Sequence, residues 1–152
     1  MAKNTLRILY IYGDDEFARA QRLKKVKLRV DKDGMNTTEL DARTMRKDEI
    51  NMAVNAMPFL SERRLVFLEK PSGEYRGKNQ RADFIKFLES VPETTVLVLH
   101  EEMDGKKASK NWLVKWAQKT KEIARAEAFM LPKAWETRDW IARIQKEAKS
   151  QG

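Results

Sequence analysis

Cysteine is absent from this chain, which excludes a disulfide framework, a thiolate zinc site and a cysteine nucleophile. Histidine occurs once, as His100, so there is no second imidazole for a metal cage and no Ser-His-Asp constellation to be read from spacing. A structural or surface role is the better reading of that residue. Glycine and proline are scarce, 6 and 4 of 152 residues, and apolar runs recur throughout, so wholesale disorder is not expected. No apolar run approaches the roughly 18 to 20 residues of a membrane span, and the opening MAKNTLRILYIYGDDEF lacks a cleavage site after its short apolar stretch. A cytoplasmic chain with no membrane partner is the expectation. Also missing is the phosphate-binding pattern G-x-x-x-x-G-K-S/T, whose glycines admit a phosphate and whose lysine pairs with it.

The composition that remains suits one domain, since 152 residues with 41% hydrophobic content can bury one sizeable core, and a multidomain enzyme is excluded by length. Net charge is +8, spread evenly: residues 1–76 hold 16 basic and 12 acidic side chains, residues 77–152 hold 15 and 11. Charge distributed in this way predicts weak, salt-sensitive attraction to nucleic acid and no sequence-specific reading. A basic nucleic-acid-binding domain therefore stands as an alternative.

Strand and helix patterns alternate along the chain. The run 6–12, LRILYIY, is apolar almost throughout, as in a strand buried on both faces, and it ends at Gly13. Asp14 and Asp15 supply capping carboxylates, and Phe17, Ala18, Ala20, Leu23, Val26 and Leu28 give an approximately helical spacing as far as the Asp31–Gly34 stop. A strand is predicted over 35–40 and a helix over 47–57, with Ile50, Val54 and Met57 on one face and Pro58 as its boundary. A third strand follows at 65–68, a polar loop at 71–78, a helix through Phe84, Phe87 and Leu88, a strand at 94–99, a helix at 107–120 and a strand at 123–129. This order predicts a doubly wound α/β sheet, whose sites usually lie at the carboxyl ends of its strands. After Leu131-Pro132 an amphipathic helix carries Trp135, Trp140, Ile141 and Ile144. Residues 1–131 are thus expected to form one domain and 132–152 to begin a second, helical module, making the chain a fragment.

Several features invite functional readings. The first strand–helix turn, Gly-Asp-Asp-Glu-Phe, is where a nucleotide-binding protein places its phosphate loop, but Asp14, Asp15 and Glu16 would repel a phosphate, and an acidic helix cap accounts for them. The same acidic pair, with Lys133, resembles a receiver-like signalling domain, yet the phosphorylatable aspartate of the third strand is replaced by Glu69-Lys70-Pro71. That reading stands as a second alternative. Trp112 and Trp116, at i and i+4, read as core. The segment Met57-Pro58-Phe59-Leu60 leaves two bulky apolar residues in a connection. Either they insert into a partner's pocket or they tuck under the sheet, and the residues alone do not choose.

Taken in order, LYIYGDDEFARAQRLKKV, MNTTELDA, NAMPFLSERRLVFLEKP, FLESVPETTVLVLHEE and MLPKAWETRDWI resemble the N-terminal part of the delta-subunit family of bacterial DNA polymerase III, the clamp-loader subunit that opens the sliding clamp. The resemblance implies an AAA+-like, P-loop-NTPase-like sheet of about five mostly parallel strands, flanked by helices and without a functional phosphate loop. It implies no cofactor, no bound metal and no catalysis by the chain itself, as a non-enzymatic part of a DNA polymerase holoenzyme. It also implies binding to the β sliding clamp, with Phe59 and Leu60 as the wedge and Met57 as support; Ser61, Glu62 and Arg63 are candidates for peripheral polar contacts. Other clamp-loader subunits would be met through further domains, and DNA within the assembled complex.

Overall fold

The computed structural model describes residues 6–132, residue 141 and residues 144–146. Its elements are β1 (Ile8–Gly13), α1 (Glu16–Val30), β2 (Thr37–Asp41), α2 (Lys47–Asn55), β3 (Arg64–Glu69), α3 (Pro71–Glu74), α4 (Lys78–Glu89), β4 (Thr95–Glu102), α5 (Gly105–Lys110), α6 (Trp112–Lys119) and β5 (Ala124–Ala128). The strands form one sheet in the order β2-β3-β4-β1-β5, and every neighbouring pair is parallel. This is the expected α/β sheet, with β4 at its centre between β3 and β1.

Alternation along each strand divides the core in two. Ile8, Tyr10, Val66, Leu68, Leu97 and Leu99 face one layer, where they meet Ile50 and Val54 of α2, Phe84 and Leu88 of α4, and Leu113, Val114 and Ala117 of α6. Leu9, Ile11, Leu65, Phe67, Val96 and Val98 face the other, which is covered by α1 through Val26, Leu23 and Val30. Trp112 and Trp116 pack against the larger core, as their spacing predicted.

Where the structure departs from the sequence pattern, local physics supplies the reason. Phe17 and Leu28 do not join the apolar face of α1: they are 72% and 56% exposed. At 3.6 residues per turn, both stand about 180° from Val26, the buried centre of that face. Helix α2 stops at Asn55, with Ala56 extended (φ −67, ψ 142), so Met57 falls outside it, next to the Pro58 ring that disfavours helical geometry at the preceding residue. Part of the polar segment at 71–78 is a single helical turn, α3, with Pro71 in its first turn. The helix expected over 107–120 is two helices, because Asn111 is extended and its side-chain oxygen accepts from Leu113 N and Val114 N at 2.8 and 3.1 Å, starting α6 afresh. Ile141 and residues 144–146 are helical. Trp135 and Trp140, and with them most of the helix expected there, lie outside the described residues.

Candidate functional site

The two ends of the sheet carry different chemistry. At the carboxyl end, Gly13 closes β1 with φ +139, and a Cβ there would lie 1.9 Å from the Phe129 carbonyl oxygen. The backbone leaving β5 crosses the turn at that point. Phe129 N donates to Tyr12 O at 2.8 Å, Asp15 N donates to Phe129 O at 3.0 Å, and Leu131 N donates to an Asp14 carboxylate oxygen at 2.7 Å. Asp15 caps α1 by accepting from Ala18 N at 3.0 Å. Thus Asp14 and Asp15 serve backbone amides, and the place of a phosphate loop is built over by the segment after β5. Lys133, which a receiver-like site would need, lies outside the described residues.

The same end contains a buried polar network. Glu101 accepts from the Tyr10 hydroxyl and, at 2.7 Å, from the Ser72 hydroxyl. Asn111 Nδ2 donates to Ser72 Oγ at 3.0 Å, and Trp112 Nε1 donates to Ser72 O at 3.1 Å. Burial raises the Glu101 pKa above the ordinary carboxylate value, while its two hydroxyl donors pull it back. His100, edge-on to Phe67 with ring centres 6.2 Å apart, has its pKa lowered by burial, against the opposing pull of Glu69. Among the described residues, no cluster of three His, Cys, Asp or Glu side chains is placed to hold a metal ion.

At the amino end, the connection from α2 to β3 carries the apolar residues singled out by the sequence. Met57, Phe59 and Leu60 are 78%, 57% and 88% exposed, so the side chains are displayed rather than tucked under the sheet. Leu60 has φ +50, in the left-handed region that a bulky residue rarely adopts. Beneath it, the backbone is held: Phe59 N donates to Asn36 Oδ1 at 2.5 Å and Asn36 Nδ2 donates to Phe59 O at 2.8 Å. Asn36 is buried between α1 and β2. Its N–H donates to Asp31 Oδ2 at 2.9 Å, and its carbonyl accepts from Leu65 N at 2.9 Å.

The polar candidates divide. Glu62 is exposed. Ser61 Oγ closes a small turn, donating to Arg63 O at 3.3 Å. Arg63 spends its guanidinium within the domain, on Glu93 O at 3.1 Å, Leu6 O at 2.8 Å and Thr95 O at 3.3 Å. Met57, Phe59, Leu60 and Glu62 therefore share one exposed loop, while Arg63 ties that loop to the sheet. The site lies at the amino end of the strands, opposite the end favoured by the general rule for α/β sheets. Sequence reading missed the role of Asn36, which it placed within the strand predicted over 35–40 although β2 starts only at Thr37, and it took Asp31 only as part of a helix stop, because neither residue type signals its tertiary partner.

The structure defines a parallel five-stranded α/β domain flanked by helices, with a first turn covered by the segment after β5 and an apolar element at its amino end. The model of the family "DNA polymerase III, delta subunit" matches residues 9–127, more than half of the chain. The chain belongs to that family. Among solved structures it is similar to the DNA clamp loader delta protein YqeN of Bacillus subtilis, with a TM-score of 0.68 and 20% identity over 95% of this chain and 44% of that one. A DNA polymerase III gamma subunit-related protein of Thermotoga maritima gives a TM-score of 0.55 and 17% identity, over 88% of this chain and 44% of that one. The chain thus spans less than half the length of either, and at these identities the likeness speaks for the fold alone. No curated protein matches. Among the described residues no helix is long and apolar enough to cross a membrane.

Proposed function

We propose that this chain is the clamp-binding domain of a clamp-loader delta subunit, with Phe59 and Leu60 as the wedge that enters a pocket on the β sliding clamp and Met57 as support. The observation that carries the reading is the display of three large apolar side chains on one loop of a family member, at 57 to 88% exposure. Burying such anchors in a partner supplies most of the energy of a small interface, and their surroundings serve mainly to exclude water. Glu62 sits at the rim of that contact. Arg63 acts from beneath, by holding the loop to the sheet.

The mechanism is differential binding. A wedge shifts a clamp between closed and opened forms only by the difference in its affinity for the two, so Phe59 and Leu60 must make contacts in the opened clamp that the closed one denies. No step in this requires a nucleotide on the chain itself, and the ATP cycle belongs to other subunits, met through further domains; DNA is approached within that assembly. The domain boundary is proposed at Leu131-Pro132, with 132–152 opening a helical module.

Calorimetric titration with the β sliding clamp of the same organism tests the proposal. Phe59→Ala combined with Leu60→Ala is expected to weaken binding by at least about 2 kcal/mol and to leave the fold intact. Unchanged affinity defeats the assignment.

A further inference from the structure

We infer that Asn36 is a positioning residue for the wedge, acting through the peptide of Phe59 without itself touching the partner. The inference rests on the clamp-binding reading above and extends it to a residue on a different loop. Its basis is the two-point contact already described: one side-chain amide accepts from Phe59 N and donates to Phe59 O. An asparagine side chain carries a donor and an acceptor on one short planar group, so it can pair with both polar groups of a single residue as a neighbouring strand would. Aspartate lacks the donor, and glutamine would carry the amide one methylene too far.

Asn36 can hold because it is itself held. It is 3% exposed, and Asp31, 6% exposed at the end of α1, accepts both its N–H and the Thr37 hydroxyl. The Leu65 N–H at the start of β3 bonds its carbonyl. The α1–β2 connection is thereby fastened to the sheet before it grips the α2–β3 connection. That grip falls on the residue preceding Leu60, whose left-handed backbone at φ +50 is one that leucine would leave in a free loop. Local preference does not display Leu60; the tertiary contact next to it does. A loop ordered before the encounter does not have to be ordered during it, so the geometry favours affinity by pre-organisation.

The test uses the full chain and its binding to the β sliding clamp of the same organism, at concentrations that measure even the Phe59→Ala, Leu60→Ala variant. Asn36→Ala is expected to remain folded, to bind about ten-fold more weakly and to lose the slow hydrogen exchange of the Phe59 amide. On the Phe59→Ala, Leu60→Ala background it is expected to cost far less, because both wedge side chains are gone and only the supporting Met57 remains to be positioned. A purely structural residue would lower affinity equally in both backgrounds. That result, or wild-type binding by folded Asn36→Ala, overturns the inference. Should Asn36→Ala fail to fold, Asn36→Ser replaces it under the same affinity criteria, since it keeps a small neutral polar group at this buried position but cannot pair with both Phe59 N and Phe59 O. Equal binding by wild type and the Phe59→Ala, Leu60→Ala variant overturns the clamp reading itself. Loss in that variant alone, with Asn36→Ala unaffected, overturns only the positioning role.

Discussion

The two ends of the sheet spend their polar groups in opposite ways. At the carboxyl end, carboxylates and backbone amides turn inward: Asp14 and Asp15 accept from amides, Phe129 O occupies the turn after β1, and Glu101 is closed in by Tyr10 and Ser72. At the amino end, a buried amide holds the backbone of Phe59 while Met57, Phe59 and Leu60 point their apolar surface at solvent. Left-handed backbone occurs at both ends, at Lys70 (φ +55) just after β3 and at Leu60 (φ +50) before it, but only the second falls on a large apolar side chain left uncovered. The contrast teaches that exposure alone is not the signal of a site. Phe17 is exposed too, but on a helix face where nothing strains the backbone. What marks the amino end is exposed apolar area on a backbone held against local preference, the combination expected where function is maintained at a cost in stability.

The largest effect is expected from filling the built-over turn. Gly13→Ala would put a methyl group 1.9 Å from the Phe129 carbonyl oxygen, at a φ of +139 that alanine resists. It is expected to destabilise the fold by roughly 3 kcal/mol or more, as read from urea unfolding. Clamp affinity of the folded protein should be unaltered, and a matching loss of affinity would break the separation of the two ends.

A smaller effect, with opposite signs in two assays, is expected at the other end. Leu60→Asn loses no packing, since the side chain is 88% exposed, and asparagine tolerates φ +50 better. Stability should rise by about 1 kcal/mol while clamp binding weakens. If stability and binding moved in the same direction, the case for strain retained for function would fail.

The smallest effect is confined to part of the pH range. The folded-state pKa of Glu101 is raised, chiefly by burial, so the folded chain holds that proton more tightly than the unfolded chain does. Its contribution to stability is then full below the ordinary glutamate pKa and is lost as pH rises through the folded value. Glu101→Gln is expected to remove this decline, with unfolding midpoints compared between about pH 4 and pH 8. A wild-type profile that rises across that interval because of Glu101 would reverse the sign.

Much of the architecture was legible in the chain, for reasons particular residues make plain. The continuous apolar runs at 8–12 and 96–99 could be satisfied only by burial on both faces, and both lie in interior strands. The spacing of Ile50 and Val54, and of Phe84 and Leu88, located the buried faces of α2 and α4. Boundaries were harder, since a cap such as Asn111 acts through one hydrogen-bonded side chain and leaves the apolar periodicity untouched. The candidate site was half legible: Pro58 followed by Phe59 and Leu60 announces bulky residues in a connection, but a connection can fold either way.

By itself, the sequence determined the alternation of strands and helices, the acidic character of the first turn and the presence of two large apolar residues after Pro58. Those properties follow from periodicity and residue type, which are local. Only the tertiary structure decided that Phe59 and Leu60 face outward, that Arg63 works beneath them and that Phe129 covers the first turn. Each of these depends on groups far apart in the chain: Asn36 reaches Phe59 across 23 positions and Leu131 reaches Asp14 across 117. Such pairs form only once the sheet has brought its connections together, and hydrogen bonds between distant residues leave no period in the sequence to be read.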